Sequence, residues 1–182
     1  MIRAQKKFTG SGGINYIIRS ACPDDAKRLS EIRVQIDGET QNMDRESGEQ
    51  FIDEQSFRQL IKEDTESDRN LFLVASIDHI IVGFSRCQGN HLKRFAHKVE
   101  FGVCILRKYW GLGIGTHLLK ESIAWAESNT IKKMTLTVLE TNEKAVGLYR
   151  KFGFEIEGVL KKDKLLSDGR YYNTIVMGRV SK

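Results

Sequence analysis

The chain of 182 residues is long enough for one domain, at roughly 100 to 200 residues each, and too short for two with independent cores. An apolar share of 40% beside 29% charged excludes a disordered chain, and no apolar run approaches the ~20 residues of a membrane span. The formal net charge of +5 admits an anionic partner without specifying which.

Residues 1–13 read as a flexible leader, because a polar, basic start runs into Gly10-Ser11-Gly12-Gly13, which is costly to order. Met1 to Lys7 lacks the hydrophobic stretch of a secretory signal, so the expected setting is cytoplasmic, with no membrane partner. A single domain is expected over residues 14–182. It opens with a strand, Ile14 to Arg19, and Pro23-Asp24-Asp25 then supplies turn and cap chemistry for a helix carrying Ala26, Leu29, Ile32, Arg33 and Ile36. The composition turns polar and acidic from Asp37 to Gln50, a connection expected to be mobile, before a second amphipathic helix through Phe57, Leu60 and Ile61.

Leu71 to Ala75 and Ile80 to Phe84, joined at Asp78-His79, predict a hairpin. From Val99 the order becomes β-α-β-α. Strand Val99 to Leu106, a glycine-rich turn, a helix bearing Leu118, Leu119, Ile123 and Ala126, strand Met134 to Leu139, and a helix from Glu143 to Phe152 follow one another. A crossover of this kind pairs its two strands in parallel. Gly153 stops the last helix, and Phe154 to Val159 with Asn173 to Met177 form a closing pair of strands. The clusters Lys132-Lys133 and Lys161-Lys162 with Lys164 read as solvated turns. Without a recognition module or interleaved aromatics they predict no nucleic-acid partner.

The segment Trp110-Gly111-Leu112-Gly113-Ile114-Gly115-Thr116 is the most informative. Three glycines between a strand and a helix let several backbone N–H groups converge at a helix N-terminus, a geometry that binds phosphate, although glycines also simply permit a tight turn. A dinucleotide fold wants G-x-G-x-x-G at its first strand, and a P-loop wants Gly-Lys-Ser/Thr after the glycines. Thr116 stands where the former needs its third glycine, and Thr116-His117 follow Gly115, so both nucleotide patterns fail.

These residues resemble the Gln/Arg-x-x-Gly-x-Gly/Ala signature of the GNAT superfamily of acyl-CoA-dependent N-acetyltransferases, with Trp110 where Gln or Arg is usual. Asn142 to Phe154 is similar to the same family's Asn-x-x-Ala-x-x-Leu-Tyr-x-x-x-Gly-Phe segment. The resemblance covers about Ile14 to Val180 and implies an α/β (α+β) fold. Its central sheet is mixed and mostly antiparallel, with flanking helices and a splayed fourth and fifth strand, here Val99 to Leu106 and Met134 to Leu139. It further implies acetyl-CoA as cosubstrate. Val103, Cys104 and Ile105 would then pair with pantetheine amides, Gly111, Leu112, Gly113, Ile114, Gly115 and Thr116 would hold the pyrophosphate, and Asn142 would contact the cofactor or cap its helix. Lacking the polar contacts of Gln or Arg at position 110, the turn is expected to rely on backbone donors. Dimers are common in the family, so a homodimer is allowed.

The implied chemistry is direct attack by a primary amine in a ternary complex. An alkyl amine of pKa ~10.4 must shed a proton at a cost of about 4 to 5 kcal/mol near pH 7, which calls for a base, and the departing thiolate gains from an acid. By resemblance Tyr149 is the acid; an apolar stripe of Ala145, Leu148 and Phe152 also suits a core tyrosine. Glu100 on the fourth strand is the expected base, with His97 and Glu140 as alternatives. An apolar setting raises a thiol's pKa, so Cys104 reads as a buried residue rather than a nucleophile. Cys22, Cys87 and Cys104 form no close pair, which argues against a disulfide framework. His79, His91 and His117 lack ligand spacing, and no metal is assigned. The acceptor is expected to be a small-molecule amine, with a protein N-terminus or lysine as the alternative. A non-catalytic acyl-CoA sensor is the reading of another class.

Overall fold

Strand β3 (Leu71–Ile77) shows how the sequence divides the interior. Its run of apolar residues is buried almost throughout, as befits a strand covered on both faces. Period-two alternation sends Leu71, Leu73 and Ala75 into one core and Phe72 and Val74 into the other. The first core lies under α3 (Ile114–Ser128) and the second under α1 (Ala26–Glu39) and α2 (Glu54–Glu66). The computed structural model describes residues 5–181.

The remaining strands are β1 (Lys6–Thr9), β2 (Asn15–Ser20), β4 (Ile80–Gly89), β5 (Lys98–Ile105), β6 (Lys133–Leu139), β7 (Glu155–Leu165) and β8 (Tyr171–Val180). With β3 they make one eight-stranded sheet ordered β1-β2-β3-β4-β5-β6-β8-β7. Every neighbouring pair is antiparallel except β5 and β6, the strands that flank the α3 crossover. The mixed, mostly antiparallel sheet with flanking helices agrees with expectation, and so does the helix α4 (Glu143–Lys151) between β6 and β7.

The leader differs. Its first four residues lie outside the described residues, but Lys6–Thr9 pair with β2, Lys6 opposite Ile18 and Thr9 opposite Asn15. Glycine content suggested a tether; instead Gly12 and Gly13, at φ of 73° and 75°, turn the chain into a hairpin that packs Phe8 on the core. The polar connection after α1 also has fixed partners: Ser30 Oγ donates to the Ile52 carbonyl at 2.6 Å and Arg33 to the Gln50 carbonyl at 2.7 Å. Among the described residues no helix is long and apolar enough to cross a membrane.

Candidate active site

The chain leaves β5 through a short turn and enters α3 at Gly113. Gly111 and Gly113 take φ of 81° and 86°, the left-handed region that costs other residues roughly 1–2 kcal/mol. As N-cap, Gly113 has no side chain to satisfy the first turn. The N–H groups of Gly113, Ile114, Gly115 and Thr116 are therefore orphan donors at a positive helix end. Ile114 is buried and anchors the turn. At Gly115 a Cβ would lie 3.2 Å from Ile105 Cδ1, so glycine lets α3 rest on β5. Trp110, nearly half exposed, donates its single N–H to the Ile105 carbonyl at 2.8 Å. The expected dependence on backbone donors fits a turn whose aromatic residue has spent its only donor elsewhere.

Beside this turn the sheet opens. The parallel pairing of β5 with β6 covers only Lys98–Lys133, Val99–Met134 and Glu100–Thr135. Beyond it β5 continues on β4 as far as Ile105, and β6 on β8 as far as Leu139, without meeting each other. The Leu106 N–H bonds the Val82 carbonyl at 3.0 Å. Because bonded and non-bonded pairs alternate in an antiparallel ladder, Cys104 spends its backbone groups on Phe84 of β4, while Val103 and Ile105 turn theirs toward the gap. Of the three expected pantetheine partners on β5, the ladder directs two to the gap and withdraws Cys104. Its thiol lies on the cavity wall 3.6 Å from the Met43 sulfur, and burial pushes it up to about 12, so it keeps its proton near neutrality.

A cavity of about 460 Å³ fills the opening, and it gathers Glu100, Val103, Cys104, Ile105, Gly111, Gly115, Asn142 and Tyr149 from four elements. Leu112, Gly113, Ile114 and Thr116 are not in its walls. Tyr149 is placed by packing from both sides. Its ring stands edge-on to Phe101, with centroids 6.5 Å apart, and 5.8 Å from Phe154. Gly153 at φ 81° closes α4 in a Schellman arrangement, with the Phe154 N–H on the Tyr149 carbonyl and the Gly153 N–H on the Arg150 carbonyl. The Tyr149 hydroxyl makes no hydrogen bond among the described residues, and burial raises its pKa to about 12.

Glu100 is exposed at the cavity wall and has no ion-pair or hydrogen-bond partner among the described residues. The β4–β5 register runs without a shift, so Glu100 shares the face of Cys104. Of the alternatives, Glu140 is engaged elsewhere and His97 lies outside the cavity walls. Glu140 accepts the backbone and side-chain N–H groups of Asn173 at 2.6 and 3.0 Å. His97 is exposed, its carbonyl holding the N–H groups of Lys132 and Lys133. Asn142 caps α4 through the Ala145 N–H at 3.3 Å. Asn142→Ala is expected to cost about 1 kcal/mol in denaturant unfolding; no loss would show the cap contact to be idle.

Sequence reasoning missed the outer wall. Thr40, Met43, Asp44 and Arg45, from the supposedly mobile connection, line both this cavity and an adjoining vestibule of about 880 Å³. Arg45 is held by the nearly buried Asp37 at 3.1 Å, and Lys164 of β7 pairs with Asp44. The signal was present in the acidic composition of the stretch, but nothing in its spacing named partners more than a hundred residues away.

The acetyltransferase (GNAT) family model matches residues 38–154. The L-amino acid N-acetyltransferase AaaT of Escherichia coli K12 is 34% identical over 109 residues, 59% of this chain and 67% of its own. The spermidine N(1)-acetyltransferase of the same organism is 35% identical over 89 residues, 48% of this chain and less than half, 46%, of its own. Among solved structures, an acetyltransferase of the GNAT family from Streptococcus pneumoniae superposes with a TM-score of 0.88 at 28% identity, over 91% of this chain and 99% of that one.

Proposed function

The chain belongs to the acetyltransferase (GNAT) family, and from that membership we propose that it acts as one N-acetyltransferase domain, β1 included, that moves an acetyl group from acetyl-CoA to a small-molecule primary amine by direct attack. The observation that carries the reading is the parting of β5 and β6 after Glu100 and Thr135, next to a helix N-terminus whose cap residue has no side chain. Free strand edges suit the amides of an extended pantetheine arm, and orphan N–H groups suit a diphosphate. The residues fit the cosubstrate on both counts. Val103 and Ile105 would offer gap-facing backbone groups, the Ile105 carbonyl already being taken by Trp110, and Gly111 to Thr116 would hold the phosphates.

Acetyl-CoA supplies the activated carbonyl. Glu100, exposed and without a partner among the described residues, is the group to receive the amine's proton, directly or through a water. Tyr149 keeps its proton far above neutrality and is the group to deliver one to the departing sulfur. A gap-facing N–H of β5 would stabilise negative charge on the carbonyl oxygen. Relatives named for L-amino acids and for spermidine support a small amine as acceptor.

Calorimetry with acetyl-CoA followed by thiol release across a panel of amino acids, polyamines and peptides tests the reading. Binding and amine-dependent release are expected; indifference to acetyl-CoA, or binding without release for every amine, would overturn it. Within that assay Glu100→Gln is expected to lower kcat roughly tenfold to a hundredfold. An unchanged rate would remove Glu100 as the base.

A further inference from the structure

The glycine turn has a second neighbour that the reaction does not explain. Gly10, at the end of β1, lies so close that a Cβ there would sit 2.3 Å from the Leu112 carbonyl oxygen. Tyr16 of β2 is buried at 2% exposure, and its hydroxyl lies 3.6 Å from where a Cβ on Gly113 would be. That hydroxyl meets Nδ1 of His117, in the first turn of α3, at 2.5 Å. Phe8 stacks on the His117 ring with centroids 4.4 Å apart, and Lys6 pairs with Glu121 one turn further on at 2.8 Å. None of Phe8, Gly10, Tyr16 and His117 lines the cavity, whereas Gly111 and Gly115 do. The hairpin therefore reaches the turn away from that cavity.

A loop with two left-handed glycines has many conformations to lose. A ligand gripped by its N–H groups must pay for that ordering unless the fold has already done so. We propose that the β1–β2 hairpin is the positioning element of the diphosphate cradle, acting through the Tyr16–His117 hydrogen bond and the close approach of Gly10 to Leu112. The role rests on the acetyl-CoA reading above. Tyr16 and His117 act on the cradle through its backbone and are positioning residues. Burial lowers the pKa of His117 first, with Lys120 adding to it, so the ring is neutral near pH 7 and Nδ1 is free to accept from Tyr16 when the proton is on Nε2.

Two readouts on the full chain decide the matter. Amide hydrogen exchange over residues 111–116 without ligand is expected to speed up in Tyr16→Phe and His117→Leu. The acetyl-CoA Kd and KM are expected to rise roughly fivefold, the worth of one hydrogen bond, with kcat within about twofold. His117→Asn, whose amide can offer a polar atom near the place of Nδ1, should restore most of both. Unchanged exchange and unchanged Kd, even with a lowered Tm, would reduce the pair to core packing and overturn the proposal. Wild-type protein that ignores acetyl-CoA would overturn the proposed function instead, and the exchange rates, which need no ligand, would still decide whether the hairpin holds the turn.

Discussion

Gly113→Glu is expected to abolish acetyl-CoA binding while leaving the protein folded. The residue sits at φ 86°, so any side chain brings strain of roughly 1–2 kcal/mol. The strain is tolerable: the nearest atom to the new Cβ is the Tyr16 hydroxyl at 3.6 Å, an ordinary contact. A carboxylate at a helix N-terminus is itself favoured and would accept the N–H groups left open there. The substitution thus sets an internal anion against the diphosphate for the same donors. Calorimetry should report at least roughly a hundredfold loss of affinity, about 2.7 kcal/mol, and Gly113→Ala, which adds strain without charge, a much smaller one. Retained tight binding by the glutamate variant would show that the phosphates lie elsewhere.

Tyr149→Phe is expected to lower kcat on the order of a hundredfold with the acetyl-CoA Kd unchanged within about twofold. The hydroxyl has no partner among the described residues, so its removal should leave Tm nearly unaltered, while the ring contacts to Phe101 and Phe154 remain. The sign of the pKa shift matters for the pH profile. Burial raises it to about 12, so the proton-bearing form persists to higher pH than in a free tyrosine. Loss of activity through Tyr149 ionisation is expected only as pH approaches 12. An unchanged kcat in the phenylalanine variant would leave Tyr149 as a wall of the cavity.

Much of this centre is local in sequence and was legible for that reason. Asn142 to Phe154 contains its own cap, its apolar stripe and its glycine stop, so one short segment sets the helix that carries Tyr149, while the ring contact with Phe101 comes from outside it. Trp110 to Thr116 likewise announces an open helix end. What depended on distant partners was not legible. The phase of β5, which separates Cys104 from Val103 and Ile105, follows from a bond between Leu106 and Val82; a register shift such as the one opposite Ala75 and Ser76, where Val82 of β4 has no partner on β3, would have reversed it. The order of Lys6–Thr9 comes from pairing with β2 and from the Phe8 ring on His117, neither written in the glycines beside it. The walls are held by a local ion pair, Asp37–Arg45, and a distant one, Asp44–Lys164, on a stretch whose composition alone suggests motion.

The divergence of β5 and β6 leaves raw hydrogen-bonding rims in the middle of a sheet, where most proteins have none. Such rims invite a foreign strand, and an outer strand left bare is a common route into aggregates. Here they border the cavity lined by Met43, Trp110 and Tyr149, so an occupant of that cavity would also cover the bare rims. A guest that paired with both rims would complete the interrupted ladder and remove that hazard.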